Sequence, residues 1–198
     1  MAVSKTAIIE ASIKILNRDG IGGLTMRTIA RELNIKAASL YNHIRSRQEL
    51  FGEISEYMIT RSAIPETGDN PYDFLIKISR AYRAMLKTVR DSVEIFIRSI
   101  PNTPRRVEII RGISKGLLKF GVSPENLMTI SNMLNNYTLS FTADEVRYKN
   151  TPPEVLNAVS EILEYGSRPV NTGEIDFDTQ FSYGLEVLFA GIRSLASR

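Results

Sequence analysis

The chain has 198 residues, 43% of them hydrophobic and 24% charged, with a formal net charge of +3. That is enough apolar material for one or two small folded domains, and the charge is too balanced for wholesale disorder. The absence of cysteine and the presence of a single histidine exclude disulfides, thiolate metal sites, cysteine nucleophiles and any centre that needs two histidines. No apolar run approaches the roughly 18 residues of a membrane span, and Met1 to Glu10 lack a signal core, so a cytoplasmic protein without a membrane partner is expected.

Taken in order, nearly every segment reads as helix, and no alternating strand pattern occurs. Ser4 is placed to cap a first helix with Ile8, Ala11, Ile15 and Leu16 on one face, and Gly20 to end it. Thr25 opens a short second helix through Leu33, Asn34-Ile35 breaks it, and a third runs from about Lys36 to His43. Ser46-Arg47-Gln48-Glu49 has the form of a capping box and opens a fourth helix that stops near Pro65. Asn70-Pro71 starts a fifth, Ser92 to Ile100 forms a sixth, and Thr103-Pro104 starts a seventh closed by Gly121. Ser123-Pro124-Glu125 begins a long eighth helix to about Lys149. Thr151-Pro152-Pro153 begins a ninth that reaches Tyr165 and closes at Gly166, a surface loop covers Ser167 to Gly173, and the last helix runs from Phe177 to about Ser197.

Two short helices across a tight turn, with Leu24, Ile29, Leu33, Ile35, Leu40 and Ile44 spaced to fill a miniature core, make a helix-turn-helix. The small Ala37 and Ala38 let the third helix approach a major groove and offer a methyl contact to thymine, while Lys36, Ser39 and Asn42 can bond base edges. Arg27, Thr28, Tyr41, His43 and Arg47 fall where phosphates of double-stranded DNA would be met. Between positions 27 and 47 the cations Arg27, Arg31, Lys36, Arg45 and Arg47 face only one acid, Glu32. Against this stand plainer readings: Tyr41 as a packing ring, His43 as a solvent-facing residue, and Lys36, Ser39 and Asn42 as an ordinary exposed face. The basic stretch from Lys77 to Lys119 reads as solvated helix faces, as a counterweight to the acidic C-terminal third, or as an opening that favours anions. Asp144-Glu145 read as solvated, with no metal site.

The residues Leu24-Thr25-Met26-Arg27, Ile29-Ala30, Leu33, Leu40-Tyr41, His43 and Glu49-Leu50 resemble the DNA-binding domain of the tetracycline repressor (TetR) family over about residues 4 to 58. Asn34 stands where the family has a turn glycine, and Arg47 where lysine is usual. Tyr72-Asp73-Phe74-Leu75, Arg83-Ala84-Met85-Leu86, Arg90-Asp91, the run from Gly121 to Leu127, the run from Phe181 to Leu188, and Gly191-Ile192-Arg193 are similar to the effector domain of the family's tetracycline-binding members.

The resemblance implies an all-α fold, with a three-helix DNA-binding domain over residues 1–46 and an effector-binding and dimerisation bundle over 47–198. It implies a homodimer built from the eighth and last helices, whose stripe Phe181, Leu185, Leu188 and Phe189 supplies the interface. The inward positions Tyr82, Met85, Phe96, Met133, Tyr137 and Phe141 read as core or as the lining of an enclosed cavity, with Ser99 and Asn136 as polar handles. Two histidines and an asparagine that hold a magnesium-chelated drug in the tetracycline-binding members correspond here to Phe96, Ala63 and Ile78, while Asp144 retains only a more distant carboxylate. No cofactor and no magnesium-dependent tetracycline response are therefore expected, and the effector should be a small hydrophobic or aromatic molecule. The expected function is that of a repressor released by such a ligand from a near-palindromic operator. A helical adaptor that binds only protein is the rival reading; an enzyme would need a convergence of acid, base and metal groups that the sequence lacks.

Overall fold

A computed structural model describes residues 3–66, 68–162 and 175–196; the helix end at Tyr165, the Gly166 stop and the loop of Ser167 to Gly173 lie outside them. The described helices are α1 (Lys5–Gly23), α2 (Met26–Glu32), α3 (Ala37–Leu40), α4 (Arg47–Thr60), α5 (Pro71–Leu86), α6 (Ser92–Arg98), α7 (Pro104–Phe120), α8 (Leu127–Lys149), α9 (Pro153–Ile162) and α10 (Phe177–Ala196). No strand occurs among the described residues, so the all-α expectation holds.

The caps follow the sequence closely. The Ser4 hydroxyl accepts from the Ala7 N–H at 3.1 Å, and the Asn70 side chain accepts from both Tyr72 and Asp73 ahead of Pro71. Gly121 closes α7 at φ 104°, a backbone angle that glycine adopts without strain. Gly20 behaves differently from the expectation: at φ 72° it kinks α1, and the helix resumes to Gly23. At the start of α4, Ser46 accepts from Glu49 N–H as expected, but the Glu49 carboxylate reaches back to the N–H of Arg45, one residue earlier than a capping box would place it. A 3-10 turn, Pro124–Asn126, precedes α8.

One continuous core runs from Ile8 in α1 to Ile192 in α10. It corrects the expected dimer stripe. Phe181, Leu185 and Phe189 are fully buried inside the subunit, with Phe181 stacked on Tyr137 at 5.3 Å and Phe189 set edge-on to Phe120 at 5.3 Å and to Tyr72 at 5.4 Å. Leu188 is half-buried against the same core. A wide apolar stripe on an amphipathic helix is covered by its own bundle first, and the face of α10 left in water carries Tyr183, Val187 and Leu195 instead. Gly184 lets α10 lie close to α8: a Cβ there would fall 2.0 Å from the Tyr137 hydroxyl, which itself donates to the Phe181 carbonyl at 2.9 Å.

A second correction concerns Glu145. Asp144 is exposed and pairs with Arg147 at 2.6 Å, but Glu145 is 1% exposed. Its Oε2 accepts from Arg83 Nε at 2.9 Å and pairs with Nη2 at 2.6 Å, and its Oε1 takes Lys87 at 3.1 Å and Lys149 at 2.7 Å. Burial pushes the carboxyl pKa up, yet the bonds from Lys149, Lys87 and Arg83 outweigh it and hold the group below its ordinary value. Arg83 also reaches Asp178 on α10 at 2.6 Å, so one ionic cluster ties α5, α8 and α10.

Candidate nucleic-acid interface and ligand cavity

The N-terminal helices build a small rigid head. Leu24, Ile29, Leu40 and Ile44 are buried, and Leu33 and Ile35 pack against them. Thr25 and Thr28 cap α2 reciprocally, and Thr28 also donates to the Gly23 carbonyl at 2.7 Å. The turn passes through Asn34 at φ 52°, a left-handed conformation that asparagine tolerates. The third helix is shorter than its expected span of Lys36 to His43: four residues, then a turn through His43.

On this head Arg27, Lys36, Ala37, Tyr41, Asn42 and Arg47 are exposed, Ser39, His43 and Thr28 are half-buried, and the Thr28 hydroxyl is occupied by the cap. Arg47 stacks over Phe51, 5.2 Å from the ring centre, and donates to the Ile21 carbonyl at 3.2 Å. Among the described residues, none of Arg27, Arg31, Lys36, Arg45 and Arg47 forms an ion pair, whereas Lys14, Arg18, Arg61, Arg98, Arg105 and Arg147 all do. The one acid of the patch is already neutralised: Glu32 pairs with Lys14 at 2.6 Å and Arg18 at 3.1 Å, and the bonds from Lys14 and then Arg18 hold its carboxyl below the ordinary range. The result is a face of exposed cations with no internal counter-ions, which suits a polyanion.

Three residues of α4, the helix that follows the head, bond to α6 and α7. Ser55 of α4 lies 3.2 Å from Ser99 at the end of α6, Oγ to Oγ. Gln48 donates to the Arg98 carbonyl at 2.5 Å. The Glu56 carboxylate accepts the N–H groups of Arg105 at 2.8 Å and Arg106 at 3.3 Å, completing the first turn of α7, which has no acid of its own.

A cavity of about 200 Å³ opens within the bundle. Its walls are largely aliphatic: Leu75 and Ile78 from α5, Ile109 and Ile113 from α7, and Ile59 and Ile64 from α4 and the segment after it. Of the residues expected to line a cavity, Tyr82 and Phe96 do so, their rings edge-to-face at 5.5 Å. Ser99 is buried and hydrogen-bonded to Ser55, Arg106 and the Phe96 carbonyl. The others lie elsewhere, which corrects the expectation. Met85 is buried in the core, Met133 and Asn136 are exposed, and Tyr137 and Phe141 pack on Phe181 on the α10 side of α8. The physical reason is the helical period of α8: residues 131, 132, 134, 135 and 138 face the cavity, whereas 133, 136, 137 and 141 fall on its other sides. Ile78 and Phe96 line the cavity, but Ala63 is exposed and Asp144 faces solvent.

Sequence reasoning missed Arg106, whose guanidinium lies in the cavity wall 4.9 Å from the centre of the Phe96 ring. A signal was available. Arg105-Arg106 puts two cations in the first turn of a helix, where the backbone dipole disfavours them, and such a placement calls for another role. The i, i+3, i+4, i+7 series Arg106, Ile109, Ile110, Ile113 then marks the inward face.

A capped helix-turn-helix head carrying unpaired cations, joined through one helix to a bundle with an apolar cavity, defines a helix-turn-helix transcriptional regulator. The family model described as "Bacterial regulatory proteins, tetR family" matches residues 8–54, and "Tetracyclin repressor-like, C-terminal domain" matches residues 64–196. The chain belongs to the tetR family. It is 30% identical over 142 residues to the tetracycline repressor protein class E of Escherichia coli, a match covering 70% of this chain and 66% of that relative's length. The Streptomyces coelicolor TetR family protein ActR in complex with actinorhodin superposes with a TM-score of 0.86 at 22% identity over the full length of both chains. BioQ bound to its double-stranded DNA operator superposes with a TM-score of 0.70 at 25% identity, covering 97% of this chain and 99% of that one.

Proposed function

We propose that the chain is a cytoplasmic, homodimeric repressor that binds a near-palindromic operator and leaves it when a small, mostly apolar ligand enters the bundle, and that it has no catalytic activity. Residues 1–46 act as the DNA-binding unit and residues 47–198 as the effector and dimerisation unit. The observation that carries this reading is the set of five exposed cations around the helix-turn-helix with no carboxylate partner. Arg27, Tyr41, His43 and Arg47 meet phosphates, with Thr28 supporting them through the cap, and Lys36, Ala37, Ser39 and Asn42 read bases in the major groove. BioQ in complex with its operator supports the DNA reading, and ActR in complex with actinorhodin supports the ligand reading at the level of the fold.

Dimerisation uses the exposed face of α10, where Tyr183 and Val187 stand in water with the small Ala190 and Gly191 beside them. The two recognition helices then lie about one DNA turn apart, roughly 34 Å. The described cavity lining contains no histidine, aspartate or glutamate, which supports a ligand held without a magnesium chelate. A mobility-shift assay with the DNA upstream of the chain's own gene tests the proposal. A retarded band that Arg47→Ala weakens supports it. Absence of any complex at micromolar protein favours the rival adaptor reading.

A further inference from the structure

The polar groups of the cavity are unevenly matched, and the mismatch has a sign. A guanidinium carries five N–H donors. In Arg106, Nη1 donates to the Ser99 hydroxyl and Nη2 donates to the Phe96 carbonyl at 3.1 Å, and no other acceptor among the described residues engages the group. It forms no ion pair there either. The two carboxylates close by are taken: Glu108, two residues on, pairs with Arg105 at 3.1 Å, and Glu56 accepts the backbone N–H groups of Arg105 and Arg106. Desolvation pushes the guanidinium pKa down, but an arginine stays charged at neutral pH. Two hydroxyls share the same cavity without partners. The Tyr82 hydroxyl makes no hydrogen bond among the described residues, and the buried Ser131 Oγ has none. A partly desolvated cation and two idle hydroxyls inside a mostly apolar wall, whose other polar members are Asn132, Asn135 and the helix-bonded Ser79 and Thr138, form a receptor for one anionic head on an apolar body.

We propose that the cavity binds a small aromatic carboxylate whose carboxylate is the counter-ion of Arg106 and whose ring lies among Phe96, Tyr82 and the isoleucines of α7. This rests on the regulator reading above and names the class of its ligand. The volume of about 200 Å³ fits a one- or two-ring acid. A planar carboxylate matches the fork of the guanidinium, with the Tyr82 and Ser131 hydroxyls free to bond its oxygens. The same event carries a signal. Arg106 holds Ser99, and Ser99 lies 3.2 Å from Ser55 on α4. A carboxylate that draws the guanidinium toward itself competes with Ser99 and loosens the junction of α6 with the helix that carries the DNA-binding head.

The test uses the full chain and two matched pairs of probes, benzoate with benzamide and 2-naphthoate with 2-naphthamide, titrated calorimetrically at pH 7. At least one acid should bind about tenfold or more tightly than its amide, since a hydrogen-bonded charge is lost in the neutral compound. Arg106→Met should abolish that preference while the chain still melts cooperatively, Arg106→Lys should keep part of it, and Tyr82→Phe should weaken the acid alone. Equal affinity of acid and amide, a preference that survives Arg106→Met, or no binding of any probe to the folded wild type would each overturn the proposal. DNA retardation measured on the same preparation separates the two readings. Intact DNA binding without an acid preference refutes this inference alone, and an acid preference without DNA binding refutes the regulator reading.

Discussion

The carboxylate of Asp91 accepts the backbone N–H of Ile21 at 2.7 Å, across 70 residues of sequence. Asp91 sits at φ 59° at the start of α6, and Ile21 follows the kink at Gly20, where a Cβ would press against the Asp91 carboxylate at 2.9 Å. Beside it, the Arg90 N–H donates to Asn17 at 3.0 Å. The α5–α6 turn therefore grips the end of α1 directly, and a shift of α6 has a second route into the DNA-binding head besides α4. Asp91→Ala should cost about 1–3 kcal/mol, because it removes a charged acceptor and leaves a part-buried N–H unpaired. Asp91→Asn should cost less, since asparagine keeps an acceptor oxygen and tolerates the left-handed backbone. Urea denaturation of the three proteins checks the order.

The ionic cluster around Glu145 gives a dependence on pH. Its folded-state pKa is depressed, so its contribution to stability is present above the unfolded carboxyl value of about 4.3 and is lost as pH falls through the lower folded value. Glu145→Gln should destabilise the chain by about 3 kcal/mol at neutral pH, near the low end for breaking a buried pair, because Asp178 still meets Arg83. The loss should shrink below pH 4. Thermal melts of both proteins from pH 7 to pH 3 should converge; a constant difference would show that the cluster does not titrate with folding.

How far the sequence carries depends on how local the cause is. Ser4, Thr25, Asn70-Pro71 and Gly121 act within one helical turn, and the helices begin and end where these residues direct. The helix-turn-helix core was legible for the same reason. What the sequence hides is which of two apolar faces a neighbour covers. Phe181, Leu185 and Phe189 look like a stripe in need of a partner until α5, α7 and α8 are seen to supply one. Tyr137 and Phe141 lie about a third of a helical turn from the cavity side of α8, a rotation that composition cannot fix. Glu145 and its neighbour Asp144 read alike in the sequence, yet three cations from two helices fold onto one of them and none from elsewhere onto the other.

The exposed stripe of α10 predicts the site of assembly. Val187 is 54% exposed and lies one turn from Tyr183 at 68%. Val187→Glu places a charge on that face without touching the subunit core, so it should give folded monomers that bind a palindromic site poorly. Leu188→Glu, on a half-buried residue, should instead lower the melting temperature. Sedimentation velocity at micromolar concentration distinguishes the two. A dimeric Val187→Glu protein would put the interface elsewhere.

The most direct test of the DNA interface is the salt dependence of affinity, followed by fluorescence anisotropy with a labelled duplex from the chain's own upstream region. Each phosphate contact contributes about −0.9 to the slope of log K against log salt. The wild type should show a steep linear decline, and Arg47→Ala should flatten the slope by about 1 for each subunit bound while leaving sequence preference unchanged. Lys36→Ala and Asn42→Ala should instead alter preference at particular base pairs, by about 1–3 kcal/mol where a bidentate contact is lost. An affinity that does not fall with salt, or a slope that Arg47→Ala leaves untouched, would contradict the account.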